Sequence, residues 1–247
     1  MRQHLRTSGR QIRTRSLVAG CLMLAAARAE AVTELVADYQ FGNDLTSSVG
    51  PAAPLTVVGP GTAFASETVR LHQIQTVLTF PKGSGLALTP TNTNLLASGN
   101  SYTIALLARI TIDPLGDGYS KLIDFNNGAT YPGLYDAFGQ LRFYNLDAGA
   151  NAVIGANYAD IVLTNDGVTL SGYYNGIPQF ATGDAFQWGD VGANNTLRFF
   201  LDDIGSGGTE ASPGAVARIR IWNAALSPAQ VLELTDPVFE DGFEDIP

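Results

Sequence analysis

Short runs in which apolar and polar residues alternate recur along most of the chain. The clearest is 101–112, where every second residue is apolar and several are β-branched, as in a strand that buries one face. Weaker alternation marks 73–80, 141–144, 197–202 and 218–222. Turn dipeptides such as Asp166-Gly167 stand between the runs. Many short strands with frequent turns predict an all-β sandwich or barrel.

Two local signals define individual elements more closely. Asn175-Gly176 stands between the apolar runs 168–174 and 177–180, which predicts a tight hairpin. Ser227-Pro228-Ala229-Gln230 combines an N-cap serine, a proline in the first turn and a glutamine three residues after the cap. This capping box predicts one short C-terminal helix that stops before Asp236-Pro237.

The N-terminus has the composition of a leader. Six of the 14 basic residues precede position 30, and an uncharged apolar stretch leads to Ala27-Arg28-Ala29. This order predicts a signal peptide over 1–31, one domain over 32–235 and an acidic tail over 236–247. The apolar stretch is shorter than the roughly 20 residues of a spanning helix, so no transmembrane segment is expected. A competing interpretation is a lipoprotein processing box ending at Cys21, which would then be acylated.

Removal of the leader would change the charge and the available chemistry. The full chain has a net charge of −9, whereas from Val32 onward eight basic residues face 22 acidic ones, a net of −14. This acidity argues against a nucleic-acid partner, because phosphate binding needs a basic face. The only cysteine is also lost, so apolar burial without disulfides must stabilise the domain.

Three segments resemble laminin-G-like domains, most closely those of secreted bacterial proteins. The opening Val36-Ala37-Asp38-Tyr39-Gln40-Phe41 and the hairpin Tyr173-Tyr174-Asn175-Gly176 resemble family motifs. The run 217–227 resembles the closing strand and the short helix that follows it. The resemblance implies a concanavalin A-like jelly-roll β-sandwich of two antiparallel sheets. It also implies that calcium is a candidate ligand at the loop rim.

An enzymatic function lacks its usual markers in this chain. Glycoside hydrolases need a carboxylate pair across a cleft, and the E-x-D-x-E run of related glucanases is absent. From residue 32 onward there is no thiol for nucleophilic catalysis and only one histidine, His72. We therefore expect a non-enzyme, with a hydrolase using atypical carboxylates as the alternative.

An acidic, glycine-rich segment is the candidate metal site. Asp202 and Asp203 end a strand pattern, and Glu210 follows a loop with three glycines. Adjacent carboxylates repel each other, and oxygen-rich loops suit Ca²⁺. Asx turns in a solvated loop would explain the same residues without an ion.

Aromatic residues beside scarce cations are the candidate glycan site. Trp222 alternates with Arg220, Trp188 lies in a loop pattern, and Tyr144 stands two residues from Arg142. An exposed aromatic ring stacks on the C–H face of a sugar, while polar groups bind the hydroxyls. Large aromatics are also common in cores or beneath a terminal helix, and that alternative stays open.

The sequence thus favours a secreted recognition domain for glycans or cell-surface polymers, with calcium as a candidate stabilising ligand. A glycan-active hydrolase and a purely structural surface protein are the alternatives. Fold alone does not separate them.

Overall fold

The structure is a computed structural model, and it describes residues 33–50, 52–70, 73–89, 101–111, 118–129, 132–144, 147–148, 157–183 and 196–235. All of these belong to one compact unit, Val32–Pro247. The predicted signal peptide with Cys21, the acidic tail, His72 and Trp188 lie outside the described residues.

The described residues form fifteen strands and one helix. In chain order the strands are β1 (Leu35–Tyr39), β2 (Thr56–Val58), β3 (Ala63–Thr68), β4 (Ile74–Phe80), β5 (Gly85–Leu88), β6 (Tyr102–Ile110), β7 (Tyr119–Asp124), β8 (Gly133–Ala137), β9 (Gln140–Tyr144), β10 (Asp147–Ala148), β11 (Ala159–Asn165), β12 (Leu170–Tyr174), β13 (Ile177–Thr182), β14 (Leu197–Phe199) and β15 (Gly214–Trp222). The helix is α1 (Pro228–Thr235).

The strands form two antiparallel sheets, which confirms the predicted β-sandwich. The eight-stranded sheet has the order β13-β12-β11-β6-β15-β4-β3, with β1 also pairing with β15. The seven-stranded sheet has the order β10-β9-β8-β7-β14-β5-β2. Sequence neighbours pair in hairpins, whereas β15 returns from the end of the chain to the middle of its sheet beside β6.

The main core lies between the two sheets. Leu106 and Ile219 come from the eight-stranded sheet, Leu134 and Phe199 come from the seven-stranded one, and none of the four exposes measurable surface. Each buried side chain of this size stabilises the fold by about 1.5–3 kcal/mol through removal of apolar surface from water. Burial of this kind is the main stabilisation expected for a chain without disulfides.

The strand predicted over 101–112 differs from the structure in one respect. Alternation predicts one buried face, but β6 is buried on both faces along nearly all its length. Ala105 faces a second apolar cluster that contains Trp222, Leu226 and Val231 of the segment ending in α1. The helix therefore covers part of the outer face of this sheet. Its apolar contacts hold the C-terminal segment against β6.

The two local signals are confirmed. Asn175 and Gly176 form the two-residue turn between β12 and β13 with φ of +49° and +76°. At the helix, the Ser227 backbone N–H donates to Gln230 Oε1 at 2.9 Å, and the Gln230 N–H faces Ser227 Oγ at 3.4 Å. These reciprocal contacts are those of a capping box.

None of the described residues forms a helix with the length and apolar character that a bilayer crossing requires.

One carboxyl group is buried on the core side of the seven-stranded sheet. Asp136 of β8 is 1% exposed and pairs in register with Ser120 and Leu141. Its Oδ1 accepts a hydrogen bond from the Gly139 N–H at 2.9 Å, while Oδ2 has no hydrogen-bond partner within the described chain. Loss of hydration raises the pKa of Asp136 to about 6, against the lowering effect of the Gly139 bond.

The raised pKa of Asp136 predicts a stability change between about pH 4 and pH 6. The native state holds this proton more tightly than the unfolded chain, so the contribution is present at lower pH and is lost as pH rises through about 6. The loss is up to about 3 kcal/mol. We predict that Asp136→Asn is more stable than wild type near pH 7 and that the difference shrinks towards pH 4. Urea unfolding of both proteins across this range measures it; a difference that does not depend on pH would contradict the assignment.

Candidate functional site

The segment 200–210 lies against β7 and carries the acidic cluster, which we define as Asp202, Asp203 and Glu210. The Lys121 N–H donates to the Glu210 carbonyl at 2.9 Å, and the Ile204 N–H donates to the Gly128 carbonyl at 2.8 Å. These backbone bonds join the loop to β7 and to the turn that follows it. The acidic side chains are therefore held beside β7, the central strand of the seven-stranded sheet.

The two aspartates organise their own loop. Asp202 Oδ1 accepts from the Asp203 N–H at 2.7 Å, and Asp202 Oδ2 accepts from the Glu210 N–H at 3.0 Å. Asp203 Oδ1 accepts from the Gly205 and Ser206 N–H groups at 2.8 and 3.0 Å. These are the Asx-type contacts that a metal-free loop would use.

A buried lysine that the sequence reasoning did not consider lies at the centre of this region. Lys121 Nζ is 2.7 Å from Asp124 Oδ2 and 3.3 Å from Asp203 Oδ2, and all three side chains are essentially inaccessible to water. The ammonium also lies over the Tyr135 ring, 5.3 Å from its centroid. A charged residue inside the otherwise uncharged run 119–123 was the available signal in the sequence.

The electrostatics of the cluster follow from this lysine. Burial raises the pKa of Asp203, but attraction to Lys121 and hydrogen bonds from Ser206, Lys121 and Gly205 outweigh burial and hold the pKa below its usual value. Tyr135 shows the opposite effect, because burial and the charges of Glu210, Asp203 and Asp202 raise its pKa. Asp203 is thus ionised and Tyr135 neutral at physiological pH.

A glycine brings a further cation close to the same loop. Asp124 Oδ1 accepts hydrogen bonds from the Asn126 and Gly128 N–H groups at 3.1 and 2.6 Å, which closes the turn after β7. Gly128 has φ of +75°, and a Cβ there would lie 1.7 Å from Arg198 Nη1. A side chain at position 128 would displace the guanidinium, and the positive φ favours glycine there.

The structure brings the three predicted metal ligands together. One carboxylate oxygen from each of Asp202, Asp203 and Glu210 lies within 4.8 Å of the others. Hard oxygen donors at this spacing are chemically suited to a divalent cation. The same group could hold a metal ion, although Lys121 already neutralises part of its charge.

A pocket of about 500 Å³ lies where α1 crosses the outer face of the eight-stranded sheet. We call it the helix pocket, and its lining residues are Thr33, Arg218, Arg220, Trp222, Leu226, Gln230, Glu233 and Leu234. Arg220 lies over the Trp222 ring, 5.5 Å from its centroid. Trp222 is only 8% exposed, so it forms a wall of the pocket rather than an open platform.

One arginine of the helix pocket is neutralised by a carboxylate. Arg218 donates from Nε and Nη2 to the two oxygens of Asp38 at 2.8 and 3.1 Å. Burial raises the pKa of Asp38, but the contacts from Arg218, Gln40 and Ser48 outweigh it and lower the pKa overall. Arg220, stacked on Trp222, is the second guanidinium in the wall.

The remaining predicted glycan residue lies on the other sheet. Tyr144 belongs to β9 of the seven-stranded sheet and is 38% exposed. Trp222 and Arg220 belong to β15 of the eight-stranded sheet, so Tyr144 lies on a different sheet from these two. Trp188 lies outside the described residues. Sequence reasoning also missed Phe138, which is 69% exposed in the turn between β8 and β9.

Glu67, one of the few glutamates, is committed to a structural network. It accepts from Arg109 Nε and Nη2 at 2.7 and 2.6 Å and from the Tyr158 hydroxyl at 3.0 Å. These contacts with Arg109 lower the pKa of Glu67 against the effect of burial. A glutamate held ionised in a bidentate pair is poorly suited to act as a general acid.

Comparison with solved structures finds similar folds at low identity. Domain 4 of an extracellular arabinanase of glycoside hydrolase family 43 from Geobacillus stearothermophilus, in complex with arabinotriose, has a TM-score of 0.60 and 19% identity, covering 83% of this chain and 99% of that one. Botulinum neurotoxin type C, from a structure that concerns its interaction with two ganglioside molecules, has a TM-score of 0.59 and 14% identity over 82% of this chain and 50% of that one. Trypanosoma rangeli sialidase in complex with the inhibitor DANA has a TM-score of 0.54 and 17% identity over 81% of this chain and 32% of that one.

At this identity the likeness establishes the β-sandwich fold and not an activity. No protein-family model matches the chain, and no curated protein sequence matches it either. The laminin-G-like assignment therefore remains a prediction.

The buried position of Lys121 predicts a large effect on stability. Lys121→Met would leave Asp124 and Asp203 buried without their ammonium partner, which typically costs about 3–5 kcal/mol. We predict a matching loss in the free energy of unfolding, measured by chemical denaturation. Lys82→Met, at an exposed turn position, is the control and should change stability by less than about 0.5 kcal/mol. Equal effects of the two substitutions would mean that Lys121 is not the counter-ion of the cluster.

Proposed function

We propose that this protein is a secreted, non-enzymatic domain of the laminin-G-like class that recognises glycans. The observation that carries the proposal is the helix pocket, where a tryptophan face, guanidinium groups and side-chain amide and carboxylate groups converge. Ligand sites of this size are usually concave, with apolar walls and a few placed polar groups. Export would depend on the predicted signal peptide over 1–31, with acylation at Cys21 as the alternative.

The chemistry of the pocket suits a sugar better than an apolar ligand. Trp222 and Leu226 offer an apolar wall against which C–H groups pack. Gln230 and Glu233 of α1 line the pocket together with strand side chains. Gln230 Oε1 is used at the helix cap, so its amide N–H groups can donate to hydroxyl groups while the Glu233 carboxylate can accept. Two similar structures concern ligands that contain sugars, arabinotriose in one and the glycolipid gangliosides in the other, and this supports the same class here.

A hydrolase of the same fold is the second candidate, and the acidic cluster is its best location. Several carboxylates lie close together there, as a glycosidase would require. Asp202 and Asp203, however, already accept backbone hydrogen bonds that shape the loop. We favour recognition over hydrolysis because these carboxylates are committed to holding the fold.

The glycan proposal is tested by titrating the exported protein with arabinotriose and by screening it on a glycan array. We predict saturable binding to at least one oligosaccharide, weakened about tenfold or more in Arg220→Gln through loss of a charge-assisted contact. Arg109→Gln removes the same charge from the same sheet outside the pocket and should leave affinity unchanged.

Chromatography of the incubated oligosaccharide separates binding from catalysis. Recovery of intact ligand supports a recognition domain, whereas turnover that is lost on changing one carboxylate supports the hydrolase. Equal loss of affinity in Arg220→Gln and Arg109→Gln would show that the glycan does not bind in the helix pocket.

We also propose that the acidic cluster binds Ca²⁺. Asp202, Asp203 and Glu210 would each supply an oxygen, and a bound ion would reduce repulsion in a strongly acidic domain. An ion that binds only the folded state stabilises it by about 2.7 kcal/mol at 100 times its dissociation constant. Magnesium would act more weakly, because it dehydrates reluctantly and demands octahedral geometry.

Melting curves with calcium, magnesium and sodium chloride at matched ionic strength test the metal site. We predict the largest rise in melting temperature with calcium and its reduction in Glu210→Gln. Asp203→Asn is a poor probe because Asp203 also pairs with Lys121. Asp166→Asn, at an exposed turn, is the matched control. Three coincident curves would show general charge screening and no specific site.

A further inference from the structure

The turn between β8 and β9 contains a residue that its backbone conformation disfavours. Ala137 pairs with Gln140, so Phe138 and Gly139 form a two-residue turn with φ of +54° and +77°. Positive φ at both central positions is the type I′ pattern, in which asparagine-glycine is preferred. The hairpin between β12 and β13 follows that preference, with Asn175 and Gly176 at the same positions.

Phenylalanine at this position is strained and also exposed. A bulky residue in the left-handed region is a genuine outlier, because its Cβ crowds the following carbonyl. Two other phenylalanines have positive φ, Phe41 and Phe200, but both are buried. Phe138 is 69% exposed, so the burial of its ring offsets little of the free-energy cost of its positive φ. Retained strain of this kind points to a function at the site.

The Phe138 ring packs against Gly118 and Tyr119. A Cβ at Gly118 would lie 2.2 Å from Phe138 Cε1, so only glycine permits this position of the ring. The Phe138 N–H donates to the Gly118 carbonyl at 2.8 Å. The ring meets Tyr119 edge to face, with centroids 5.1 Å apart and planes at 71°. The ring is thus held outward in one orientation.

Phe138 is one end of an aromatic row that crosses three strands. The row consists of Phe138, Tyr119, Tyr135 and Tyr144. The Tyr119 and Tyr135 centroids are 6.3 Å apart, and those of Tyr135 and Tyr144 are 5.9 Å apart. Tyr135 alternates with the core residue Leu134, which places the row on the outer face of the seven-stranded sheet. Both ends of the row, Phe138 and Tyr144, reach solvent.

An unsatisfied donor lies beside the row. Arg142 is directly opposite Tyr135 in the register and two residues from Tyr144 on the same strand face. Its Nε is buried and has no hydrogen-bond partner within the described chain, while Nη2 is 3.4 Å from Gln140 Oε1. A buried donor without a partner is costly, and a ligand oxygen would satisfy it.

We propose that the aromatic row is a second carbohydrate-binding site, with Phe138 as its exposed anchor and Arg142 as a hydrogen-bond donor. Its middle member, Tyr135, is only 1% exposed, so the exposed ends, Phe138 and Tyr144, would make the contacts with a ligand. The row spans β7, β8 and β9, about 10 Å at the usual strand spacing, so these two ends suit a chain of sugars rather than one. It lies on the sheet opposite to the helix pocket. This inference depends on the proposed glycan recognition, but it places a binding site on a surface outside the helix pocket.

The test compares stability with binding in Phe138→Asn. Asparagine is the residue found at the equivalent position of the other hairpin, so the substitution relieves strain. We expect the melting temperature to rise by about 2–4 °C, while affinity for the best array oligosaccharide falls about fivefold or more. Phe64→Ser removes another exposed aromatic, on β3 of the other sheet, and should not change affinity. Arg142→Gln should weaken binding in the same direction as Phe138→Asn.

The outcomes distinguish the two proposals. Loss of affinity in Phe138→Asn with a raised melting temperature supports the second site. A lowered melting temperature with unchanged affinity would show that Phe138 serves packing alone and would overturn it. Binding that depends on Arg220 but not on Phe138 or Arg142 leaves the helix pocket standing and removes the aromatic row. If no oligosaccharide binds at all, both proposals fall.

Discussion

The pairing of β6 with β15 is the constraint on which the rest of the molecule depends. These two strands, far apart in the chain, run antiparallel through the middle of the eight-stranded sheet from Gly214↔Ile110 to Trp222↔Thr103. The buried Thr103 hydroxyl then donates to the Ala224 carbonyl at 2.9 Å and accepts from the Leu226 N–H at 2.8 Å. This side chain fixes the segment that leads into α1, and so it fixes both walls of the helix pocket.

Charge is arranged differently on the two sheets. On the eight-stranded sheet, Arg109 and Glu67 are both partly exposed, so water weakens their pair, whereas Arg218 is partly exposed and pairs with the buried Asp38. On the seven-stranded sheet, Lys121 of β7 is fully buried among carboxylates. A buried pair adds little net stability but makes removal of either partner costly. The acidic loop is therefore held against β7 by an internal counter-ion and by its own hydrogen bonds.

Turns and helix caps, which depend on residues adjacent in the chain, were predicted from the sequence. Sites that depend on how distant strands are ordered in the sheets were not. The Asn175-Gly176 turn and the capping box at Ser227 are local, and both form as expected. The convergence of Asp202, Asp203 and Glu210 was predictable because only a short loop separates them. Whether Trp222 and Tyr144 share a face depends on strand order, which alternation does not reveal, and they lie on different sheets. The Phe138 turn was missed because its sequence lacks the usual asparagine.

The placement of the helix pocket and the aromatic row on opposite sheets has a consequence for assembly. Two sheets packed face to face lie about 10 Å apart, and a filled core separates their outer surfaces. A short oligosaccharide cannot reach around this core, so if glycans bind at both proposed sites, one domain would join two separate polymer strands. Its hold on a polysaccharide layer would then rise through effective concentration, beyond the strength of either contact alone.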